Sequence, residues 1–495
     1  MTEKTPPASA GSERAADVVV IGAGPGGYVA AIRAAQLGKK VVVVERDALG
    51  GVCLNVGCIP SKALITAGGL KEKIERAAAM GLKLKGSIDV DVAALVAWKA
   101  GIVKKLTGGV GHLFKHHRIE TIAGEAKLAG PGRVEVKGAG GTTLLRYQDV
   151  ILATGSRSIE IPGFPFDEKE VWSSTGALAP TRVPERLLVI GGGYIGLELG
   201  TFYAKVGSEV TVVEMTSAIL PGTDPDLAAV VAKALAKLGV KVRLTTKALG
   251  YEKKGRQLVV AIESKEGRKE SLEVDQILST VGRRPNHENL GLETIGLAPD
   301  AKGFLQVDAQ RRVLRDAQSR VGVPHVYAVG DVAGQPMLAH KASHEGLVAA
   351  AAIAGDASAA YDPVAVPAVI FTDPEIASVG LTEEQARAKG LEPVVGRFPF
   401  AASGRALTRN ETDGFVKVVA DKKSDAVLGV HMVGPDVSEL IAEAGLALEM
   451  GATVEDLATT IHAHPTLPET LMEAAEAVHG RAVHLALQRA GEARR

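Results

Sequence analysis

The amino-acid sequence predicts an α/β protein: two parallel strand–helix–strand units of the doubly wound kind, followed by a smaller α+β domain. Three observations carry that reading. A glycine-rich strand–turn–helix–strand passage occurs twice. The strand candidates in it are short, unbroken runs of β-branched and aliphatic residues, the signature of strands buried on both faces. The pattern then changes after about residue 356.

The first passage opens on Val18, Val19, Val20 and Ile21 and leads into Gly22-Ala23-Gly24-Pro25-Gly26-Gly27. An alanine-rich helical stretch over 28–37 follows, with Gly38 as its stop, and a second run from Val41 to Val44 ends at Glu45. The second passage repeats the arrangement. Leu187 to Ile190 leads into Gly191-Gly192-Gly193-Tyr194-Ile195-Gly196, a helical stretch over 197–206 stops at Gly207, and Val210 to Val213 ends at Glu214. In both passages the acid follows the first glycine by 23 residues. This is duplication of one supersecondary unit rather than a solenoid array. Between the copies, residues 132–148 alternate apolar and polar positions with glycine turns, which predicts hairpins. Val150 to Leu152 is a further short strand closed by Ala153, Thr154 and Gly155, and 276–282 copies its role. Val326 to Val329 is a strand ending on Gly330 and Asp331. Beyond 356, strand-like runs at 416–419 and 427–433 alternate with an amphipathic helix over 438–450.

A length of 495 residues fits about three domains at ~150 residues each. Lysine plus arginine and aspartate plus glutamate balance at 57 each, so the total charge implies no basic face and argues against a nucleic-acid partner. No apolar run long enough to span a bilayer stands out. The first fifteen residues are polar and lack the apolar centre of an export signal, which predicts a disordered tail over 1–15 and a cytoplasmic location.

The glycines of Gly22-x-Gly24-x-x-Gly27 play separate roles. The first makes a tight turn after the strand, the second lets the backbone approach a pyrophosphate, and the third lets helix pack closely on strand. Gly191, Gly193 and Gly196 repeat them. The helix start that follows offers unpaired N–H groups to phosphate, and the acid at the end of the second strand accepts from ribose hydroxyls. The alternative, ordinary glycine turns of an α/β sheet, does not account for two copies with matched acids. After Glu214 come Met215, Thr216 and Ser217, with no cation for a 2′-phosphate, which favours NAD over NADP.

Cysteine occurs only twice, at Cys53 and Cys58. In a reducing compartment such a pair is catalytic or metal-binding rather than structural. Pro60 belongs in a first helical turn, so Cys58 is placed at a helix start, where the helix field and nearby Lys62 favour a thiolate. Cys53 then lies on a loop or distorted helix end. The expectation is a buried Cys58 near a cofactor and a more accessible Cys53 that exchanges. A zinc half-site lacks further soft ligands, and two inert thiols remain open on spacing alone. Near the C-terminus, His462-Ala463-His464-Pro465-Thr466-Leu467-Pro468-Glu469 runs into a helix. A histidine is the natural proton acceptor for a thiol near neutral pH. On the segment alone a catalytic base oriented by Glu469 and two structural histidines beside a helix cap are equally open.

The motifs GGVCLNVGCIPSK (50–62), GGGYIGLELG (191–200), GRRPN (282–286), AVGD (328–331), MLAHKASHEG (337–346) and HAHPTLPE (462–469) resemble those of the flavoprotein disulfide reductases, the lipoamide dehydrogenase branch in particular, over roughly 16–482. That resemblance implies two Rossmann-like domains, for FAD and NAD, and a C-terminal dimerisation domain. The implied boundaries are 16–155 with 283–355 for FAD, 156–282 for NAD and 356–495 for the interface. For FAD it implies Gly22, Gly24, Gly27, Glu45, Lys62, Ala126, Thr154, Gly155, Asp331, Met337, Leu338, Ala339 and His340. For NAD it implies Gly191, Gly193, Gly196, Glu198, Glu214 and Gly282, with Glu198 also resembling the acid that pairs with Lys62 beside the flavin. It assigns catalysis to Cys53, Cys58, His464 and Glu469, with His464 as base and acting across a homodimer. Ala126 stands where a glycine is frequent, and Gly26-Gly27 where a glycine–alanine pair also occurs. The implied reaction is oxidation of protein-bound dihydrolipoamide by NAD+. Its implied partners are the lipoyl domains and acyltransferase subunits of 2-oxoacid dehydrogenase complexes or the glycine-cleavage carrier protein. A glutathione reductase wants cations after the second acid, and a mercuric reductase wants a further C-terminal cysteine pair; neither is present. A non-catalytic redox sensor or scaffold needs no His464–Glu469 pair.

Overall fold

The computed structural model describes residues 13–316 and 318–486. The chain forms two compact units. The first comprises the described residues up to Ala63, Ala93–Ile159 and Gly282–Asp362; the second comprises Leu64–Val92, Glu160–Val281 and the described residues from Pro363 onward.

In the first unit the strand Glu13–Ile21 lies between two parallel neighbours, Val41–Glu45 and Gly141–Leu152. Val18 faces Val41 and Val20 faces Val43 on one side, and Val19 faces Val150 on the other. All three of these central valines are fully buried, as an unbroken aliphatic run in a covered parallel sheet should be. Glu120–Ala123 and Gly322–Ala328 extend the sheet in parallel, and Glu125–Leu128 and Arg133–Gly138 form an antiparallel meander onto the start of Gly141–Leu152. The helix Pro25–Gln36 buries Ala30, Ala31 and Ala34. It packs on the helix Ala339–Ile353 so closely that a side chain at Gly346 would meet the Gly26 carbonyl at 2.6 Å.

Several sequence expectations move. Residues 1–12 of the expected tail lie outside the described residues, but Glu13, Arg14 and Ala15 are strand, paired with Leu144, Leu145 and Arg146. Their polarity concealed this: the strand end is held by ion pairs Arg14–Glu120 and Arg146–Glu13 rather than by apolar burial. The expected hairpin at 132–148 and the expected strand from 150 share one continuous strand, Gly141–Leu152, in which residues 141–146 pair antiparallel with Arg133–Gly138 while residues 144–152 pair in parallel with Glu13–Ile21. Both repeat helices begin earlier than expected, at Pro25 and Tyr194, because they start directly on the glycine turns. Finally, the run Gly51–Glu75 is long and apolar enough to cross a membrane by length and composition. It breaks at Gly57, where the backbone (φ −141°, ψ −113°) leaves helical geometry, and it carries both cysteines.

The second unit holds a five-stranded parallel sheet in the order Lys241–Arg243, Glu209–Val213, Arg186–Ile190, Gln276–Ser279, Val171–Trp172. A three-stranded antiparallel sheet, Thr246–Lys254 to Val274, accompanies it. From Ala368 onward five antiparallel strands, with the helices Val437–Glu449 and Glu469–Val478, enclose a separate apolar core that includes Phe398, Phe400, Met432 and Leu471. A buried ion pair joins this α+β part to the parallel-sheet part. The Lys417 ammonium, 2% exposed, bonds Asp224, which caps the helix Pro225–Lys237, and lies 3.2 Å from Asp226. Replacing Lys417 by alanine strands a buried carboxylate and is expected to cost about 3–5 kcal/mol. The pair Lys417→Met with Asp224→Asn, which keeps the cap and removes both charges, is expected to cost less than the single change in denaturant titration.

Candidate active site

The two glycine turns are superimposable in their chemistry. Gly22 and Gly191 sit at φ +100° and +104°, and a β-carbon there would lie 2.4 Å from the Ala153 carbonyl oxygen and 2.6 Å from that of Thr280. A β-carbon on Gly27 would fall 1.9 Å from the Gly22 carbonyl, and one on Gly196 2.5 Å from the Gly191 carbonyl. These four positions are glycine for the fold's own packing. The middle glycines differ. A β-carbon on Gly24 would meet nothing nearer than the Gly51 Cα at 4.0 Å, and one on Gly193 nothing within 4 Å. The protein itself does not require them to be bare, which fits a backbone kept clear for a phosphate-bearing ligand at each helix start.

The acids act identically too. Glu45 accepts the Ala23 N–H at 2.7 Å and the Asp47 N–H at 2.8 Å. Glu214 accepts the Gly192 N–H at 2.6 Å and the Thr216 N–H at 2.7 Å. Each carboxylate is thereby fixed beside its glycine turn with lone pairs left for ribose hydroxyls. Met215, which follows Glu214, is exposed.

Other expected cofactor residues form a second layer in the first unit. Thr154 donates its hydroxyl to the Asn286 carbonyl at 2.6 Å, Asn286 returns its side-chain amide to the Thr154 carbonyl at 2.9 Å, and its N–H binds the Gly155 carbonyl at 2.9 Å. The Asp331 carboxylate accepts the Ser156 hydroxyl, whose oxygen accepts from Arg283 Nε at 2.8 Å. Leu338 precedes and Ala339 and His340 begin the helix Ala339–Ile353, with Met337 in the turn before. An open cleft of about 420 Å³ beside Glu45 is lined by Arg46, Asp47, Gly124, Glu125 and Lys137 among others. Ala126 follows Gly124 and Glu125 in the same strand region, its methyl buried in the core. Gly282 falls in the first unit, its carbonyl accepting from the Ile159 N–H at 3.0 Å. Glu198, buried within the helix Tyr194–Lys205, accepts the Phe371 N–H at 2.9 Å.

The dithiol is built onto the first turn. Gly50 adopts φ +92° and donates its N–H to the Ala23 carbonyl at 2.8 Å, and Asn55 ties its short helix to the Leu49 and Gly51 carbonyls at 2.9 Å. Cys53 lies in that helix, Gly51–Val56, and Cys58 is the first residue of the next, Cys58–Glu75. The burial order is the reverse of the expectation: Cys58 is exposed and Cys53 partly buried. The first residue of a helix has no preceding turn to cover it, whereas Cys53 lies near the half-buried Tyr28, whose hydroxyl burial raises above its ordinary value. Both cysteines are free thiols in contact. The hydrogen bond to Cys58, then burial, push the Cys53 thiol far above its ordinary range, with Lys62 opposing. The two sulfurs thus share a hydrogen bond.

In the second unit the two histidines separate. His462 engages both ring nitrogens, Nδ1 with the Thr460 carbonyl and Nε2 with Glu443, each at 2.8 Å. His464 uses Nδ1 alone, on Glu469 at 2.8 Å, and among the described residues its Nε2 has no hydrogen-bond partner. His464 is 80% exposed. Burial acts to raise the Glu469 carboxyl, but the Thr466 N–H at 2.7 Å and the His464 ring outweigh it and hold it below the usual range.

A family model described as pyridine nucleotide-disulphide oxidoreductase matches residues 16–346, and that family's dimerisation domain matches 366–475. The chain belongs to the pyridine nucleotide-disulphide oxidoreductases. Members bind FAD and NAD, and the two open glycine turns with their acids suit that pair. Among curated relatives, the dihydrolipoyl dehydrogenase of Thermus scotoductus is 53% identical over 95% of this chain and 98% of its own. That of Haloferax volcanii is 50% identical (94% and 97%), and that of Geobacillus stearothermophilus 49% (95% and 97%). Among solved structures, LpdA of Mycobacterium tuberculosis superimposes with a TM-score of 0.85 at 28% identity, covering 94% of this chain and 99% of that one. The flavoprotein disulfide reductase RclA of Escherichia coli, as a Cu(II) complex, gives 0.82 at 27% (94% and 99%). The matched dimerisation domain supports a homodimer.

Ser156 lies outside the motifs read from the sequence, whereas Arg283 and Asn286 fall within GRRPN. Ser156, Arg283 and Asn286 meet Thr154, Gly155 and Asp331 only through contacts more than a hundred residues apart in sequence.

Two predictions arise here. Gly24→Ala and Gly193→Ala are expected to fold with near-native melting temperatures yet to lose FAD retention and NADH binding respectively. Gly27→Ala is expected to destabilise the chain outright, as calorimetry will register. Because the folded Glu469 carboxyl is held low, its contribution to stability is full above the unfolded value of about 4.3 and is lost as pH falls through the lower folded value. Glu469→Gln should remove that acid-limb contribution from the pH dependence of unfolding.

Proposed function

We propose that the chain is a dihydrolipoyl dehydrogenase, oxidising a protein-bound dihydrolipoyl group with NAD+ through the Cys53–Cys58 couple. The observation that carries this reading is a contacting cysteine pair fixed on a phosphate-binding turn, in a chain about half identical to dihydrolipoyl dehydrogenases along nearly all its length. The cofactor domains are assigned to 16–155 with 283–355 for FAD and 156–282 for NAD, with 356–495 as the interface domain. Gly22, Gly24, Gly27 and Glu45, with the layer around Thr154, Gly155, Asp331 and 337–340, would hold FAD. Gly191, Gly193, Gly196 and Glu214 would hold NAD.

In the oxidised enzyme the Cys53–Cys58 disulfide receives the substrate. His464 Nε2 takes the proton of one dihydrolipoyl thiol, while Glu469 holds Nδ1–H and offsets the ring's positive charge. The substrate thiolate attacks the Cys53 sulfur, the S–S bond breaks, and Cys58 leaves as a thiolate. The second substrate thiol displaces Cys53, closing the lipoyl ring and leaving the enzyme dithiol. FAD, when bound, supplies the two-electron acceptor that lies between the dithiol and NAD+. His464 and Glu469 of one subunit serve the dithiol of the other in a homodimer. The proposed partners are lipoyl domains with their acyltransferase cores in 2-oxoacid dehydrogenase complexes, or the lipoyl carrier of glycine cleavage. The proposed compartment is the cytosol, which keeps such a dithiol reducible.

Cys58→Ser is expected to abolish dihydrolipoamide:NAD+ turnover and the long-wavelength thiolate–flavin absorption; turnover that survives it overturns the reading. His464→Gln should slow the dithiol half-reaction by about 10²- to 10⁴-fold in stopped flow, sparing NADH oxidation by artificial acceptors. His462→Gln should leave that half-reaction much less affected.

A further inference from the structure

Glu345 lies at the centre of a buried charge cluster that the proposed chemistry does not use. It sits on the helix Ala339–Ile353 and is fully buried. One carboxylate oxygen accepts the Gly330 N–H at 2.6 Å. The other lies 2.7 Å from Lys341 Nζ and 2.7 Å from Arg311 Nη2. Both cations are themselves almost wholly buried. Lys341 also donates to the Gly334 carbonyl at 3.2 Å, and the Arg311 guanidinium stacks 5.0 Å from the Tyr361 ring centre.

Two consequences follow. First, one carboxylate ties together two segments that bear cofactor residues. Through Gly330 it fixes the turn that presents Asp331. Through Lys341 and Gly334 it fixes the start of the helix whose first residues are Ala339 and His340. Second, the cluster is a mixed one in a low-dielectric region: Asp308, whose charge also bears on Arg311, pairs with Arg312, and Asp331 stands in the adjoining turn, so removing any one charge unbalances the rest.

We propose that Glu345 is a positioning residue for the flavin site, which both locks the Gly330–Asp331 turn to the Ala339 helix start and, with Lys341 and Arg311, sets the balance of charge there that tunes the flavin. This rests on the assignment of FAD to the first unit. A positive charge stabilises the more negative, reduced form of the ring system, so charge changes at the cluster should move the flavin equilibrium by sign rather than by damage alone.

The test uses full-length holoenzyme and measures the flavin midpoint potential by equilibration with reference dyes, together with FAD release after dilution. Glu345→Gln keeps an acceptor for the Gly330 N–H and adds net positive charge; the potential is expected to rise. Lys341→Met removes one cation; the potential is expected to fall. Glu345→Ala also loses the tie to Gly330, and FAD release is expected to quicken by tenfold or more over Glu345→Gln. Shifts of the same sign in Glu345→Gln and Lys341→Met, or no shift in either, overturn the proposal, since a merely structural role loosens both alike. If Glu345→Gln fails to fold, Lys341→Met decides alone, a fall supporting the proposal and a rise or no change overturning it. A wild-type chain that retains no FAD when purified overturns the cofactor assignment instead.

Discussion

The structure depends on two stretches of bare backbone in contact. Gly51 packs against Gly24 so closely that a β-carbon on Gly51 would sit 2.6 Å from the Gly24 Cα, and the Gly50 N–H closes the contact on Ala23. This junction seats the cysteine-bearing helix on the turn that begins the first nucleotide unit. It explains why two glycines precede Val52 and Cys53: both take positive φ, and the second also has no room for a side chain. A dithiol held in this way has a fixed position relative to whatever occupies the turn, and electron transfer requires such preorganisation.

The duplicated unit shows how one solution to phosphate binding was used twice. Turn, helix start and acid correspond in role: the first glycine takes a positive φ, the third is crowded, the middle one is open, and the carboxylate closes back on the turn's own N–H group. The surroundings then diverge. In the first copy the glycine turn receives the cysteine segment. In the second, the helix that follows it carries buried Glu198 toward the Phe371 backbone and buried Lys205 onto Glu72 and Asp373. The same fold element thus serves different roles through what packs on it.

Much of this was legible in the sequence because it is local. Unbroken valine runs, glycine spacing, the terminal acids and Pro60 after Cys58 each act within a few residues, so strands, turns and the helix start at Cys58 could be read directly. What was misread was non-local. Glu13 to Ala15 look like tail until their partners at 144–146 are known. Gly141–Leu152 looks like two strands because its two ends have different neighbours. The accessibility of Cys53 and Cys58 depends on what covers each thiol, which no spacing rule encodes.

The sequence by itself determined the fold class, both glycine turns and their acids, the cysteine pair and the histidine segment, since each is written in contiguous residues with a fixed physical meaning. Only the tertiary structure showed that both ring nitrogens of His462 are engaged and that Nδ1 of His464 rests on Glu469. It alone brought the Cys53 and Cys58 sulfurs into hydrogen-bond contact. It alone assembled Ser156 with Arg283 and Asp331, and Glu345 with Arg311. Hydrogen bonds and buried charges join residues that the chain keeps far apart, and their energies exist only once folding has removed the water between them.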